Sequence, residues 1–305
     1  MRKIIFILLI IICSIPGVTT PIALAAGIVF SLLLGNPWAS WSTKASQYLL
    51  KVSVVGLGFG LSIQEVWSVG KGAVGYTVIG ILLTIGVGLV LGKILKLQGN
   101  TAILISCGTA ICGGSAIAAM APVVGAKDNE IAVSLATVFT LNAVALLLFP
   151  LVGHMFQLGQ HQFGVWAGLA IHDTSSVVGA AASYGSEALH IGTTVKLTRA
   201  AWIAPMALLA GLWFRSGQKT RFPLFILGFA LAAVLHSLVP QMNTLWHVLN
   251  LIARQALVVT LFLIGCGLTR EVLRRIGPRP MLHGIILWIA VSVLTLTGIL
   301  QGFIS

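Results

Sequence analysis

Two short stretches carry much of the polar chemistry of this 305-residue chain, and they look like copies of one another. The first is Ala110-Ile111-Cys112-Gly113-Gly114-Ser115, and the second is Ala170-Ile171-His172-Asp173-Thr174-Ser175-Ser176. Each interrupts a long apolar run. Glycine lets a ligand approach the backbone, and a helix that restarts after the break aims its free N–H groups at whatever lies there. Cys112, Gly113, Gly114 and Ser115 would do this on one side, and Thr174, Ser175 and Ser176 would add hydroxyls on the other. The plainer alternatives are close helix packing for the Gly-Gly-Ser run and bonds to their own backbone for the hydroxyls. Asp173 suits the cap of a following helix as well as a ligand contact. His172 suits either a proton carrier or a buried, hydrogen-bonded ring.

Lys196 and Arg199 are the sharpest candidates. They stand three residues apart and so share one face of a helix. If that helix starts near Ile191 at a membrane boundary, Arg199 lies about 12 Å deep. A charge there costs at least ~2.5–3.5 kcal/mol on insertion scales, so it needs a partner or a water-filled path. The equivalent positions of the first copy hold Ala136 and Phe139, so the cationic pair belongs to one half only. With Asp173 expected to orient them, the two cations leave one net positive charge. A dianion plus one proton on His172 or Asp173 would neutralise it. Sodium prefers carboxylates and carbonyls without cations beside them, so an anion is the better match.

These residues must be positioned by membrane helices. The composition is 58% hydrophobic and only 8% charged, far below the quarter usual in soluble domains. Mean hydropathy is +1.04. Continuous apolar runs recur from Ile4–Ile15 to Met281–Ile304, which predicts an all-α polytopic membrane protein and argues against an alternating β-barrel. The net charge of +12 is explained by membrane orientation rather than by nucleic acid. Cys13, Cys107, Cys112 and Cys266 lie in apolar runs without C-x-x-C spacing and read as reduced packing residues. No metal site and no cofactor are expected. The N-terminal Arg2-Lys3 and the run Ile4–Cys13 resemble a signal peptide ending at Ala23-Leu24-Ala25. Cleavage there would cut into the next apolar run, Pro21–Gly35, so an uncleaved helix is expected.

The order of elements suggests a duplication. Residues 1–20 read as an N-terminal helix, 21–152 as a first repeat and 163–305 as a second, in one integral membrane unit with no soluble domain. The broken segments, Thr101–Val124 and Phe163–Tyr184, match at an offset of 60 residues, as do the segments after them, Ile131–Val152 and Ile191–Phe214. Gly58-Phe59-Gly60-Leu61-Ser62 also resembles Gly265-Cys266-Gly267-Leu268-Thr269, with Glu65-Val66 and Glu271-Val272 following. Pro21 to Pro37 resembles Pro223 to Pro240. The second half therefore runs in circularly permuted order. If both broken segments cross the bilayer, some matched pairs run parallel and others inverted. If both are re-entrant hairpins, all become inverted. Parity thus favours a circularly permuted inverted repeat with two broken or re-entrant helices meeting near the bilayer midplane. A cytoplasmic N-terminus places fourteen Lys and Arg inside and Lys71 alone outside, leaving aside Lys196, Arg199 and Arg254 within apolar segments. Arg254 is expected to snorkel, and Asn142 to bond across helices.

At this point the chain resembles a family of bacterial inner-membrane proteins named as sulfate exporters. The likeness is carried by Cys107 to Ala119, by Ala170 to Ala181, and by Val195-Lys196-Leu197-Thr198-Arg199, and it extends along essentially the whole chain. That family is similar to the broader cation–proton antiporter and anion transporter group. The resemblance implies a multi-pass inner-membrane carrier, with an N-terminus in the cytoplasm by the charge argument, exporting sulfate or a sulfonate. The expected partners are a small sulfate-like anion and membrane lipid, with no nucleic acid; a homodimer is compatible. A sodium–proton antiporter using Asp173 is the competing function. No H-E-x-x-H or G-x-S-x-G supports an enzyme, and none is expected.

Overall fold

The computed structural model describes residues 2–213, 224–267 and 277–304. Every regular element among them is a helix. In chain order these are α1 (Arg2–Cys13), α2 (Thr20–Leu34), α3 (Ala39–Gly58), α4 (Ile63–Ile94), α5 (Thr101–Ala110), α6 (Gly114–Met120), α7 (Asp128–Met155), α8 (Gln160–Ala170), α9 (Thr174–Tyr184), α10 (Ser186–Ala201), α11 (Ile203–Trp213), α12 (Leu224–Leu238), α13 (Asn243–Gly265) and α14 (Pro278–Leu300). Among the described residues four helical stretches are long and apolar enough to cross a bilayer: Ile63–Ile94, Asp128–Met155, Pro240–Gly265 and Pro278–Leu300. The motif residues Leu268, Thr269, Glu271 and Val272, and the basic residues Arg215, Lys219, Arg221, Arg270, Arg274 and Arg275, lie outside the described residues.

The helices form two compact units. One comprises Met1–Ser68 and Leu224–Leu273, and the other Val69–Pro223 and Arg274–Ser305. In the first unit α2 packs on α13, α12 on α3, and α3 on α13. Small residues allow the backbones to approach closely, as in many membrane helix pairs. A methyl added at Gly265 would lie 2.5 Å from Leu24 O, and one added at Gly58 would lie 2.5 Å from Phe229 O. These two glycines end α13 and α3, at matching places in the two Gly-x-Gly copies. Two asparagine side chains reach carbonyls at these ends: Asn36 Nδ2, from the α2–α3 connection, donates to Cys266 O at 3.0 Å, and Asn250 Nδ2, on α13, to Leu57 O at 3.2 Å. Arg254, expected to snorkel, instead donates through Nε to Asn250 Oδ1 and is half-buried. Phe6 seals α1 onto this unit, packed among Phe30, Trp38 and Phe262 at ring distances of 5.5–5.6 Å.

The second unit holds α5 to α11, most of α4, and α14. His283 on α14 bonds Gly88 O at 2.8 Å, and Trp166 donates to Ser292 O at 3.0 Å, so α14 ties α4 to α8. The sequence reads Ile191–Phe214 as one segment, but the helix breaks between Ala201 and Ile203. Pro205 explains it. Its ring nitrogen cannot donate to Ala201 O, so the intrahelical ladder is lost at that point.

The tight crossing at Gly58 is open to test. Gly58→Val should cost about 1–3 kcal/mol by overpacking against Phe229 and Ala232. It should appear as a lower thermal midpoint in nanodiscs, whereas Gly75→Ala, with open space at that position, should leave the midpoint unchanged.

Candidate functional site

Both broken segments fold back on themselves. In the first, α5 stops at Ala110 and α6 starts at Gly114. Gly113 supplies the reversal at φ 66°, a conformation that favours glycine. The Ile117 side chain then packs on Gly108, although a continuous helix would hold residues so spaced about 13 Å apart. At the open end Asn100 Nδ2 donates to Val124 O at 3.1 Å, joining the entry of α5 to the exit of α6. In the second segment α8 stops at Ala170 and α9 starts at Thr174, which reproduces the break at the 60-residue offset. Its open end is closed by Tyr184 Oη donating to Leu158 O at 2.6 Å and by Glu187 N donating to Gln160 Oε1 at 3.0 Å. Each segment is a helical hairpin. The two tips touch: a methyl built on Gly113 would lie 2.9 Å from Asp173 Cβ.

A helix that stops inside an apolar interior leaves its last four carbonyls without intrahelical donors. At α5 all four are satisfied. Cys107 O accepts from Ile111 N at 3.0 Å and Gly108 O from Gly113 N at 2.8 Å. Thr109 O accepts from Arg199 Nη2 at 3.1 Å, and Ala110 O from Arg199 Nε. At α8, Ala167 O accepts from Ile171 N at 3.1 Å, and Leu169 O accepts from Arg199 Nη1. Lys196 Nζ reaches Ile171 O at 2.5 Å and Gly168 O at 3.5 Å. One guanidinium therefore bonds both hairpins, and the ammonium one turn away secures the second. Positive groups at helix C-termini also meet the negative end of each helix dipole.

Both cations are almost fully enclosed, Lys196 at 0% and Arg199 at 2% exposure. Neither has a carboxylate within ion-pair distance among the described residues. Asp173, expected to orient them, makes no ion pair with either. Its carboxylate caps α9, accepting from Ser176 N at 3.2 Å and from Ser175 Oγ.

The remaining predicted residues gather at the tips with unequal access. Cys112, His172, Thr174, Ser175 and Ser176 are buried; Gly114 and Asp173 are half-buried; Ser115 is exposed. Phe139, which occupies the position equivalent to Arg199, packs on Gly114. Two residues that the sequence reading did not assign to the site also belong here. Thr109 lies beside the first break. Asn142 is placed by register: α5 and α7 run in the same direction, with Glu130 against Gly99 and Val138 against Gly108. Asn142 stands one turn beyond Val138 on the same face, level with the tip. A polar amide in the middle of an apolar segment was the available signal.

Apolar helices of spanning length around a buried polar centre define a helical integral membrane protein. The chain belongs to the family described as conserved hypothetical protein 698, which matches residues 3–284. It is similar to a UPF0324 membrane protein of Geobacter sulfurreducens, 56% identical over 98% of this chain and 96% of the relative. It is also similar to UPF0324 membrane proteins of Bdellovibrio bacteriovorus, 48% identical over 99% and 95% of the two chains, and of Bacteroides thetaiotaomicron, 49% identical over 92% and 86%. No solved structure matches this chain.

The capping role of α10 makes a stability prediction. Arg199→Ala strips donors from Thr109, Ala110 and Leu169 carbonyls and should cost at least about 3 kcal/mol, since each orphaned buried acceptor costs ~1–3. Lys196→Met should cost less, because it frees carbonyls of one hairpin only. Reversible unfolding in detergent, comparing the two variants with the parent, checks the order.

Proposed function

We propose that this protein is a secondary transporter that carries a small oxyanion across the bacterial inner membrane. One observation carries the reading. Two helical hairpins meet tip to tip beside enclosed cations whose partners are carbonyls, with no carboxylate in ion-pair contact among the described residues. Broken helices around a polar centre are a recurring form of substrate site in secondary transporters. The arms of α5 and α6 are 10 and 7 residues, and about 15 Å of helix covers half of a ~30 Å hydrocarbon core. In this reading the hairpins are re-entrant from opposite faces, the matched segments form an inverted repeat, and the N-terminus is cytoplasmic. Cys112, Gly113, Gly114, Ser115, His172, Asp173, Thr174, Ser175 and Ser176 surround the cargo, while Lys196 and Arg199 hold the tips and set a positive potential.

The likeness to the sulfate exporter family puts sulfate and sulfonates first among the anions to try. The direction of transport follows from the membrane potential. An inside-negative potential of 100 mV favours anion exit by roughly 2.3 kcal/mol per charge. Sodium binding at Asp173 is the weaker reading, since its oxygens are already engaged and two cations stand close by.

Purified protein in sealed proteoliposomes tests this. Labelled sulfate, or an oxyanion that competes with it, should cross faster than in protein-free vesicles, and His172→Ala should slow that flux about tenfold, the loss of one buried hydrogen bond. Sodium-dependent proton flux that disappears in Asp173→Asn, with no anion movement, would replace this function with antiport.

A further inference from the structure

Five enclosed polar atoms at the hairpin tips have no hydrogen-bond partner among the described residues: Thr109 Oγ1, Nδ2 and Oδ1 of Asn142, and both ring nitrogens of His172. The three residues are only 1%, 3% and 1% exposed, respectively. They come from three elements. Thr109 ends α5, Asn142 stands on α7 level with the first tip, and His172 lies in the second break against α10. Arg199 and Lys196 bond the backbone next to two of them, at Thr109 O and Ile171 O. An orphaned group in a buried setting costs about 1–3 kcal/mol. Beside the two breaks these three residues hold hydrogen-bonding capacity that the described residues do not use.

The chemistry of these atoms specifies the ligand. A hydroxyl both donates and accepts, an amide offers two donors and an acceptor, and a neutral imidazole offers one of each. An anion with bare oxygens only accepts, and it would leave the Asn142 carbonyl oxygen and one ring nitrogen unsatisfied. An anion with its own O–H also donates, one acceptor satisfied per hydroxyl: dihydrogen phosphate, with two, matches both acceptors, and hydrogencarbonate or hydrogen sulfite, with one, matches one. Charge gives a second, independent indication. Among the described residues Lys196, Arg199 and Asp173 are the charged side chains at the tips, and together they leave one positive charge. The helix ends converging there, two C-termini and two N-termini, largely offset each other. The other carboxylates on the surrounding helices lie at the far, open ends: Asp128 and Glu130 at the start of α7, and Glu187 at the start of α10. A monoanion neutralises the tips, whereas a dianion reverses their charge.

We propose that Thr109, Asn142 and His172 form the cargo-contacting site, and that it selects a monovalent oxyanion bearing a hydroxyl, the class of dihydrogen phosphate, hydrogencarbonate and hydrogen sulfite. This rests on the reading of the protein as an anion carrier, and it narrows the cargo away from sulfate and sulfonates.

The test uses full-length protein, in nanodiscs for binding read as thermal stabilisation and in proteoliposomes for flux. Three probes separate charge from hydroxyl: phosphate at mildly acidic pH, where it is chiefly a hydroxyl-bearing monoanion; methanesulfonate, a monoanion without a hydroxyl; and sulfate, a dianion without one. Phosphate should bind roughly tenfold or more tightly than either. Asn142→Leu and Thr109→Val should each weaken phosphate by a similar factor while leaving the ligand-free melting temperature unchanged or raised, because each removes an orphaned polar group. The inference is overturned if sulfate or methanesulfonate binds as well as phosphate, if both variants keep parental affinity, or if both variants melt lower without ligand. Flux of any anion in those cases leaves the carrier reading standing. If no anion binds or crosses, the carrier reading fails and this inference fails with it.

Discussion

A backbone carbonyl at the end of a helix must find a donor, and within an apolar interior water is a scarce supplier. Much of the second unit answers that requirement. Two helices stop halfway through their apolar segments, and α10 lies alongside with Lys196 and Arg199 reaching into both stops. The same two residues therefore explain why the breaks are tolerated and why the region is electropositive. Neither effect needs a carboxylate. Carbonyls carry enough partial charge to hold a cation in place without neutralising it, which leaves the field available to something else.

The first unit meets the same requirement with neutral groups. Asn36 and Asn250 cap the ends of α13 and α3, and glycines at those ends bring the helices almost into backbone contact. No enclosed Lys or Arg is found among its described residues. The contrast separates a packing role from a chemical one within a single chain. Amides suffice to end a helix, so the presence of two cations at α10 asks for a further reason.

Much of this was legible in the sequence because the signals were local. Apolar runs gave most helices, although α3 and α4 start well before the runs Ser46–Ser62 and Gly72–Leu95, and the paired small-and-polar interruptions gave the breaks at 110–114 and 170–174 because glycine and Asp173 act on their immediate neighbours. The contacts Asn100–Val124 and Tyr184–Leu158 close each broken segment at its open end. What escaped was the long-range part. Charge alone could not say that Arg199 bonds Thr109 and Ala110 almost ninety residues away, nor that Asp173 turns to its own helix. Thr109 and Asn142 went unassigned because a lone polar residue in a membrane helix looks the same whether it faces a neighbour or a ligand. The break at Trp202 escaped because Pro205 was read as lying within a continuous run.

Arg199 also has a mechanical consequence. Its planar fork holds carbonyls from two separate hairpins at once, so a retreat of either loop leaves guanidinium N–H groups without acceptors. Arg199 is thus the fastening the two loops share, with Lys196 a second hold on one of them. Opening it requires a substitute acceptor to arrive at the guanidinium, and a negatively charged solute entering between the loops is such an acceptor.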